Sequence, residues 1–355
     1  GGEDHFIDEG VQVYRFRYQL ASKWFYNDQS LRVRGSYQIL GRLGLLQWDI
    51  KRSLHKYQHF LSQLIKERSI EVVEMPDYND YMRFCKKPVF FPFFKVPTIV
   101  KLHGSMTYFA REAGHKEPGQ VLVMEQDIFN KAAAITSVSK YTADKTRSYF
   151  NIRKYIEVVY NGIETNIEIK QRDKIPDRVI FTGTLAGKKG IYQLMKAWNL
   201  VIEQNANATL WVCGKGSVKA AISLLSEKAK ASVVFKGHIP RKELIAHIEE
   251  SCIGVFPSYA ETFGLAPLEC MLHKAAVIFT QRTSGPEIIE DDKDGILVDP
   301  DDVESLANKI LLLLDDPKLR EALSNSAYIA VKKKFDIRRI ALHNANVYES
   351  VIKNG

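Results

Sequence analysis

The chain has 355 residues, 45% hydrophobic and 26% charged, with a formal net charge of +8. At about 150 residues per domain this length suggests two domains, and the composition is that of a folded chain, not a disordered tail. The longest apolar stretch, 88–102, is interrupted by Lys95, Lys101 and several prolines and falls short of the ~18 residues a spanning helix needs, which argues against an integral membrane chain.

Residues 1–10 carry neither the basic nor the apolar block of a secretory leader. They also lack an initiator Met, so a segment upstream, including the first strand of the first domain, is expected to precede them. In the first half, runs at 11–16, 72–75, 98–102, 135–138 and 156–159 read as strands. A helix is expected from about 38 to 66, where Ile39, Leu43, Leu46, Ile50, Leu54, Tyr57, Leu61 and Leu64 recur three or four apart. The polar stretch 161–177, opening on the Asn161-Gly162 turn signal, marks a domain boundary.

The second half is more regular. Apolar runs at 179–182, 209–213, 233–235, 253–256, 277–280 and 296–298 alternate with amphipathic stretches at 191–204, 218–230, 242–250 and 266–273. Continuous apolar strands separated by helices are what a parallel sheet covered on both faces requires. After the segment 317–335, a last helix at 337–353 follows. The expected organisation is therefore an α/β chain of two doubly wound parallel-sheet domains, 1–161 and 162–336, with the segment 337–355 returning to the first.

Residues 1–160 hold 24 Lys+Arg against 17 Asp+Glu, so nearly all the excess charge lies in the first half. That asymmetry suits either a solvated basic face or peripheral contact with an anionic membrane. The aromatic run 90–94, beside Lys86, Lys87 and Lys95, reads as core or interdomain packing, with a membrane-resting surface as the other reading. No basic cluster is interleaved with aromatics as in a nucleic-acid module, so no nucleic-acid partner is expected. Cys85, Cys213, Cys252 and Cys270 have no metal-ligand or redox-pair spacing and read as reduced core residues, consistent with a cytoplasmic protein.

Ligands of open parallel sheets bind beyond the carboxyl ends of the strands, so the chemistry is sought there. Three glycine-containing turns follow strands and open helices: 181–190 with Gly183, Lys189 and Gly190; 212–217 with Gly214-Lys215-Gly216; and 256–265 with Glu261, Phe263, Gly264 and Leu265. Backbone N–H groups at helix starts favour anions, most naturally phosphate. Glu261 stands before the third helix and Glu269 about two turns into it; carboxylates accept hydrogen bonds from sugar hydroxyls. Phosphate on amides and lysine, and hydroxyls on carboxylates, together suit a sugar nucleotide.

The series Gly183, Lys189-Gly190, Phe235-x-Gly237, Pro257-Ser258-x-x-Glu261-x-Phe263-Gly264-Leu265-x-x-Leu268-Glu269, Glu287 and Gly295-Ile296-Leu297-Val298 resembles family 4 of the retaining glycosyltransferases, which have the GT-B fold. The resemblance covers about 158–335. It implies two Rossmann-like domains, a nucleotide-sugar donor held mainly by the second, a saccharide or lipid-linked acceptor held mainly by the first, no cofactor and no required metal. Polysaccharide or lipopolysaccharide biosynthesis is the implied setting. By the same resemblance Glu261 would bind hydroxyls of the transferred sugar, Glu269 the ribose, and the amides of Phe263, Gly264 and Leu265 the sugar or diphosphate. Lys189 would neutralise the leaving diphosphate, with Gly183 and Thr184 beside it, and Ile239 would lie near the base. In the first half, Leu102-His103-Gly104 matches the cleft histidine.

Thr184 stands where the family usually has arginine, and Lys188, Lys215 or Arg282 are candidates to compensate. A sugar-nucleotide epimerase and a non-catalytic sugar-nucleotide-binding protein are the alternatives. Asp292-Lys293-Asp294 reads as a turn and not a metal motif; the 77–80 segment is a candidate acceptor contact; His238, His247, His273 and His343 read as surface or helix-end residues.

Overall fold

The structure, a computed structural model, describes residues 4–16, 45–169 and 172–354. Strands β1 (His5–Asp8) and β2 (Val11–Tyr14) form an antiparallel hairpin. The 11–16 run thus pairs locally and takes no place in the parallel sheets. Glu9 (φ 47°) and Gly10 (φ 86°) both adopt the positive φ of a two-residue hairpin turn. Helix α1 (Leu45–Glu67) follows; the 38–44 portion of the predicted helix lies outside the described residues. Its Leu46, Ile50 and Leu54, spaced by four, share one buried face.

The first domain is built on a four-stranded parallel sheet, β3 (Val73–Pro76), β4 (Thr98–Leu102), β5 (Ala134–Ser137) and β6 (Ile156–Val158), in that spatial order. Helices α2 (Met106–Glu112), α3 (Gly119–Lys131) and α4 (Lys140–Phe150) connect its strands. Of the aromatic run at 90–94, Phe91 is in the core, Phe93 and Phe94 pack against it, and Phe90 is exposed.

The second domain carries β7 (Arg178–Thr182), α5 (Ile191–Gln204), β8 (Thr209–Cys213), α6 (Val218–Ile222), α7 (Glu227–Lys230), β9 (Val233–Gly237), α8 (Arg241–Glu250), β10 (Ile253–Phe256), α9 (Leu265–Leu272), β11 (Ala276–Thr280), α10 (Gly285–Ile288) and β12 (Ile296–Val298). The sheet is all parallel, in the order β12-β11-β10-β7-β8-β9, so the winding reverses between β7 and β10. Every residue of β7, β10 and β11 is buried, as two covered faces require. The predicted helix at 218–230 is two short ones because Ser217 and Ser226 each cap a separate start, accepting from the amides of Ala220 and Ala229.

Helices α11 (Val303–Asp315), α12 (Pro317–Lys334) and α13 (Ile337–Asn354) end the chain. The amide of Ile337 donates to the Ile163 carbonyl at 3.0 Å. From there α13 reaches the first sheet: His343 hydrogen-bonds Glu157 on β6 at 3.1 Å, and the Tyr348 hydroxyl donates to Glu74 on β3 at 2.8 Å. All four cysteines are free and buried. Among the described residues no helix is long and apolar enough to cross a membrane.

Candidate functional site

At the β7/β10 switch point the sheet leaves a crevice, the place where open α/β sheets take ligands. A cavity of about 320 Å³ opens there, lined from the second domain by Thr182, Gly183, Lys189, Glu261, Phe263, Gly264 and Leu265 and from the first by His103. Its walls are the first and third glycine turns. They are tied together by the Lys188 carbonyl, which accepts from the amides of Tyr259 (2.9 Å) and Ala260 (3.1 Å).

Two glycines are required by this closeness. A Cβ on Gly190 (φ 70°) would fall 1.7 Å from the Pro257 carbonyl oxygen, and one on Gly214 (φ 154°) 1.7 Å from that of Gly183. The second turn, 212–217, therefore does not line the cavity. It backs the first turn, with the Leu185 amide donating to the Lys215 carbonyl at 2.7 Å and the Gly183 amide to the Cys213 carbonyl at 2.9 Å.

Within the cavity Lys189 and Glu261 form an ion pair, both side chains mostly buried. The Thr182 hydroxyl is buried with no hydrogen-bond partner among the described residues. Gly264 (φ 115°) turns the chain into α9, whose first amides have no intrahelical acceptors and open on the cavity. One wall thus offers a lysine, a carboxylate, a hydroxyl and a helix start, a set that suits phosphate and sugar hydroxyls together.

The first-domain side is held by two buried carboxylates. Asp77, fully buried, accepts from the amides of His103 (2.9 Å) and Gly104 (3.2 Å). Glu125 accepts from the Ser105 hydroxyl (3.1 Å) and the amides of Met106 (2.8 Å) and Thr107 (3.2 Å), closing the N-terminus of α2. Burial raises the Asp77 carboxyl to about 7 and pushes Glu125 upward too. Burial, then the charge of Lys101, lowers His103, which favours a neutral imidazole. Asp77 thus positions the His103 loop and is not open to an acceptor, whereas Tyr78 and Asp80 of the same segment are exposed.

The two domains meet at the N-terminus of α4. The Ser139 and Thr142 hydroxyls both donate to the Thr262 carbonyl, at 2.6 and 3.0 Å. Glu287 of α10 accepts from the Lys140 and Tyr141 amides at 2.7 and 2.8 Å, placing a negative charge at the positive end of α4.

Known proteins are similar to this chain in sequence and in fold. Residues 162–330 match the family model described as glycosyl transferases group 1, and residues 5–167 the model described as glycosyltransferase family 4. The chain belongs to glycosyltransferase family 4. It is 29% identical over 236 residues to a Methanocaldococcus jannaschii protein named uncharacterized glycosyltransferase MJ1607, a match covering 62% of this chain and 60% of that protein. The chain therefore spans under two thirds of that curated relative. Among solved structures, sucrose-phosphate synthase from Thermosynechococcus elongatus superposes with a TM-score of 0.76 at 17% identity, over 100% of this chain and 87% of that one. Alr3699/HepE from Anabaena, solved in complex with UDP and glucose, gives 0.63 at 18% identity, over 72% of each chain. The fold is GT-B, two Rossmann-like domains.

Of the residues the sequence nominated in this glycosyltransferase, His103, Gly183, Lys189, Glu261, Phe263, Gly264 and Leu265 surround the cavity, and Thr184, Ile239 and Glu269 do not. Thr184 is exposed beside Gly183. Ile239 packs against the core of the second domain. Glu269 pairs with Arg241 of α8 at 2.8 Å. Arg282 pairs with Asp299 (2.5 Å) and Asp301 (2.6 Å) and is committed there. His273 is the C-cap of α9, a helix end as expected, and is buried against Glu249 at 3.2 Å. Asp294 accepts from the Glu290 amide at 2.7 Å within a turn. Sequence reasoning missed Asp77 and Glu125 as loop clamps and Ser139 and Thr142 as interdomain donors; Glu287 stood in the motif series without a role.

Proposed function

We propose that this glycosyltransferase is a retaining, metal-independent hexosyltransferase that moves a sugar from a nucleotide-sugar donor to a hydroxyl of a glycan or lipid-linked saccharide. The observation that carries the reading is the Lys189–Glu261 pair at the mouth of α9, a cation and a carboxylate side by side where a helix start favours phosphate. In this reading the bond between the anomeric carbon and the β-phosphate oxygen breaks, with its electron pair going to phosphate. Lys189 and the amides at Phe263, Gly264 and Leu265 stabilise the charge that develops. The acceptor hydroxyl oxygen forms the new bond from the same face, and its proton passes to the departing phosphate.

Glu261 holds sugar hydroxyls and Glu269, beyond the cavity wall, the ribose, with Ile239 toward the base. His103, kept neutral by burial, can accept or donate a hydrogen bond near the transferred sugar. The UDP and glucose named with HepE support a nucleotide-sugar donor. The exposed Trp48 and Phe90, with Arg52 and Lys131 over their rings, support a peripheral contact with anionic membrane. A thermal-shift panel of UDP, GDP, ADP and their sugar conjugates tests the donor reading, since a ligand that binds only the folded state raises the melting temperature. The expected result is a shift with one nucleotide class; no shift with any overturns the reading.

A further inference from the structure

The cavity's charge is nearly balanced before any ligand enters, because Lys189 is paired with Glu261. A diphosphate placed there would meet helix amides and a lysine that already has a counter-charge. The neighbouring lysine differs. Lys188 lies in the same short 3-10 turn, Gly187–Lys189, and its carbonyl bolts the first turn to the third. Its side chain forms no ion pair with any described residue. Instead the ammonium rests 4.3 Å from the ring centroid of Phe109, on α2 of the opposite domain.

Neither Phe109 nor Lys188 lines the cavity itself, but the ring lies against the loop of His103, which does. A Cβ on Gly104, beside His103, would come within 2.6 Å of the Phe109 ring and 3.0 Å of the Thr262 side chain. Lys188 therefore ends where the His103 loop and the Glu261–Gly264 turn face each other. Burial and the charge of Lys189 depress its pKa while Glu261 raises it, so the two lysines and the carboxylate feel one another. An ammonium parked on an aromatic face next to a second ammonium gains most from an anion that reaches both. The other cations nearby are placed elsewhere: Arg282 is committed to Asp299 and Asp301, and Lys215 belongs to the supporting turn.

We propose that Lys188 is the second cation for the donor's diphosphate, leaving the Phe109 ring to join Lys189 on the phosphates when the site fills. This rests on the nucleotide-sugar reading above. A long, flexible lysine stem permits the move while the backbone stays fixed. Thr184, exposed beside Gly183, then contributes no charge, and the turn draws both cations from adjacent positions.

Calorimetric titration of the wild type, Lys188→Gln and Lys188→Arg with UDP, UMP, GDP, GMP, ADP and AMP tests this. The diphosphate that binds the wild type is expected to bind Lys188→Gln about tenfold or more weakly, the scale of one charge-assisted hydrogen bond, with its monophosphate little changed. Lys188→Arg should retain most of the affinity, and the loss should shrink as salt rises. Equal diphosphate affinity in the wild type and Lys188→Gln, at matched melting temperatures, overturns the inference, as does an equal loss for both phosphate lengths. If none of the six nucleotides binds the wild type, the donor reading itself fails and this inference with it.

Discussion

The hydroxyl of Ser139, in the first domain, donates to the carbonyl oxygen of Thr262, in the second, at 2.6 Å across 123 positions of sequence. Thr142 donates to the same oxygen at 3.0 Å. Thr262 lies between Glu261, which pairs with Lys189, and Phe263, whose carbonyl accepts from the Ser284 hydroxyl. The 256–265 turn is thus held from both domains, and its shape depends on how they meet.

Because two hydroxyls share one acceptor, their losses should not add. Thr142→Val alone is expected to cost about 1 kcal/mol, since Ser139 still satisfies the carbonyl. Ser139→Ala also removes the cap of α4, whose Thr142 amide it accepts, and should cost roughly 1–3 kcal/mol. The double variant should cost more than the sum, because the carbonyl is then left without a donor. Urea unfolding of the four proteins measures this, and strict additivity would contradict the shared-acceptor geometry.

Glu261 and Lys189 predict opposite effects on binding and turnover. Glu261→Gln removes the carboxylate beside the phosphate-favouring wall, so the nucleoside diphosphate product should bind at least as tightly as in the wild type. Transfer should fall by ~10²-fold or more, because the contacts to the sugar are weakened where charge develops. Full activity in Glu261→Gln would remove Glu261 from the chemistry. Turnover with the preferred donor, alongside product affinity, separates the two effects.

The strands and most helices of the second domain were legible because their signals are local. β11, apolar up to Thr280, fits the inside of a sheet covered on both faces, and the repeat in α5 shows its buried side directly. Glu261 and Lys189 were legible for a related reason: each follows a strand, and strand ends of a parallel sheet converge; His103 was singled out chiefly by the family resemblance of Leu102-His103-Gly104. What the sequence hid were side chains whose partners lie far along the chain. Asp77 clamps residues 26 and 27 positions away, Glu125 residues 18 to 20 away, and Glu287 residues 146 and 147 away. No periodicity encodes such distances. The 11–16 run misled because alternation gives a strand but not its partner, and here the partner is the preceding hairpin strand.

Gly190 tests how tightly the first turn is set against the third. It has φ 70°, and an added Cβ would meet the Pro257 carbonyl at 1.7 Å, with backbone on both sides of the clash. Gly190→Ala should therefore destabilise by roughly 2–4 kcal/mol through overpacking and left-handed strain. Gly187, whose Cβ would meet only the Tyr192 ring at 3.6 Å, is the control. Gly187→Ala should stay within about 1 kcal/mol of the wild type. Equal unfolding midpoints for the two variants would refute the close approach.

Asp77 makes the stability of the His103 loop depend on pH, and the sign follows from its burial. Its folded carboxyl sits at about 7, against an ordinary 3.8, so the folded protein holds this proton more tightly than the unfolded chain. Between these values unfolding releases a proton, and the contribution of Asp77 to stability falls as pH rises from about 4 to 7. Above that range the unfavourable burial of the charge is fully expressed, offset in part by the two amides that the carboxylate accepts. Asp77→Asn cannot ionise, so it should escape this loss while giving up one acceptor for the His103 and Gly104 amides. Whatever stability advantage the wild type has over Asp77→Asn near pH 4 should therefore shrink toward pH 7. Chemical denaturation of both proteins across that range reads the difference directly, and a gap that stays constant with pH would mean that Asp77 titrates at its ordinary value.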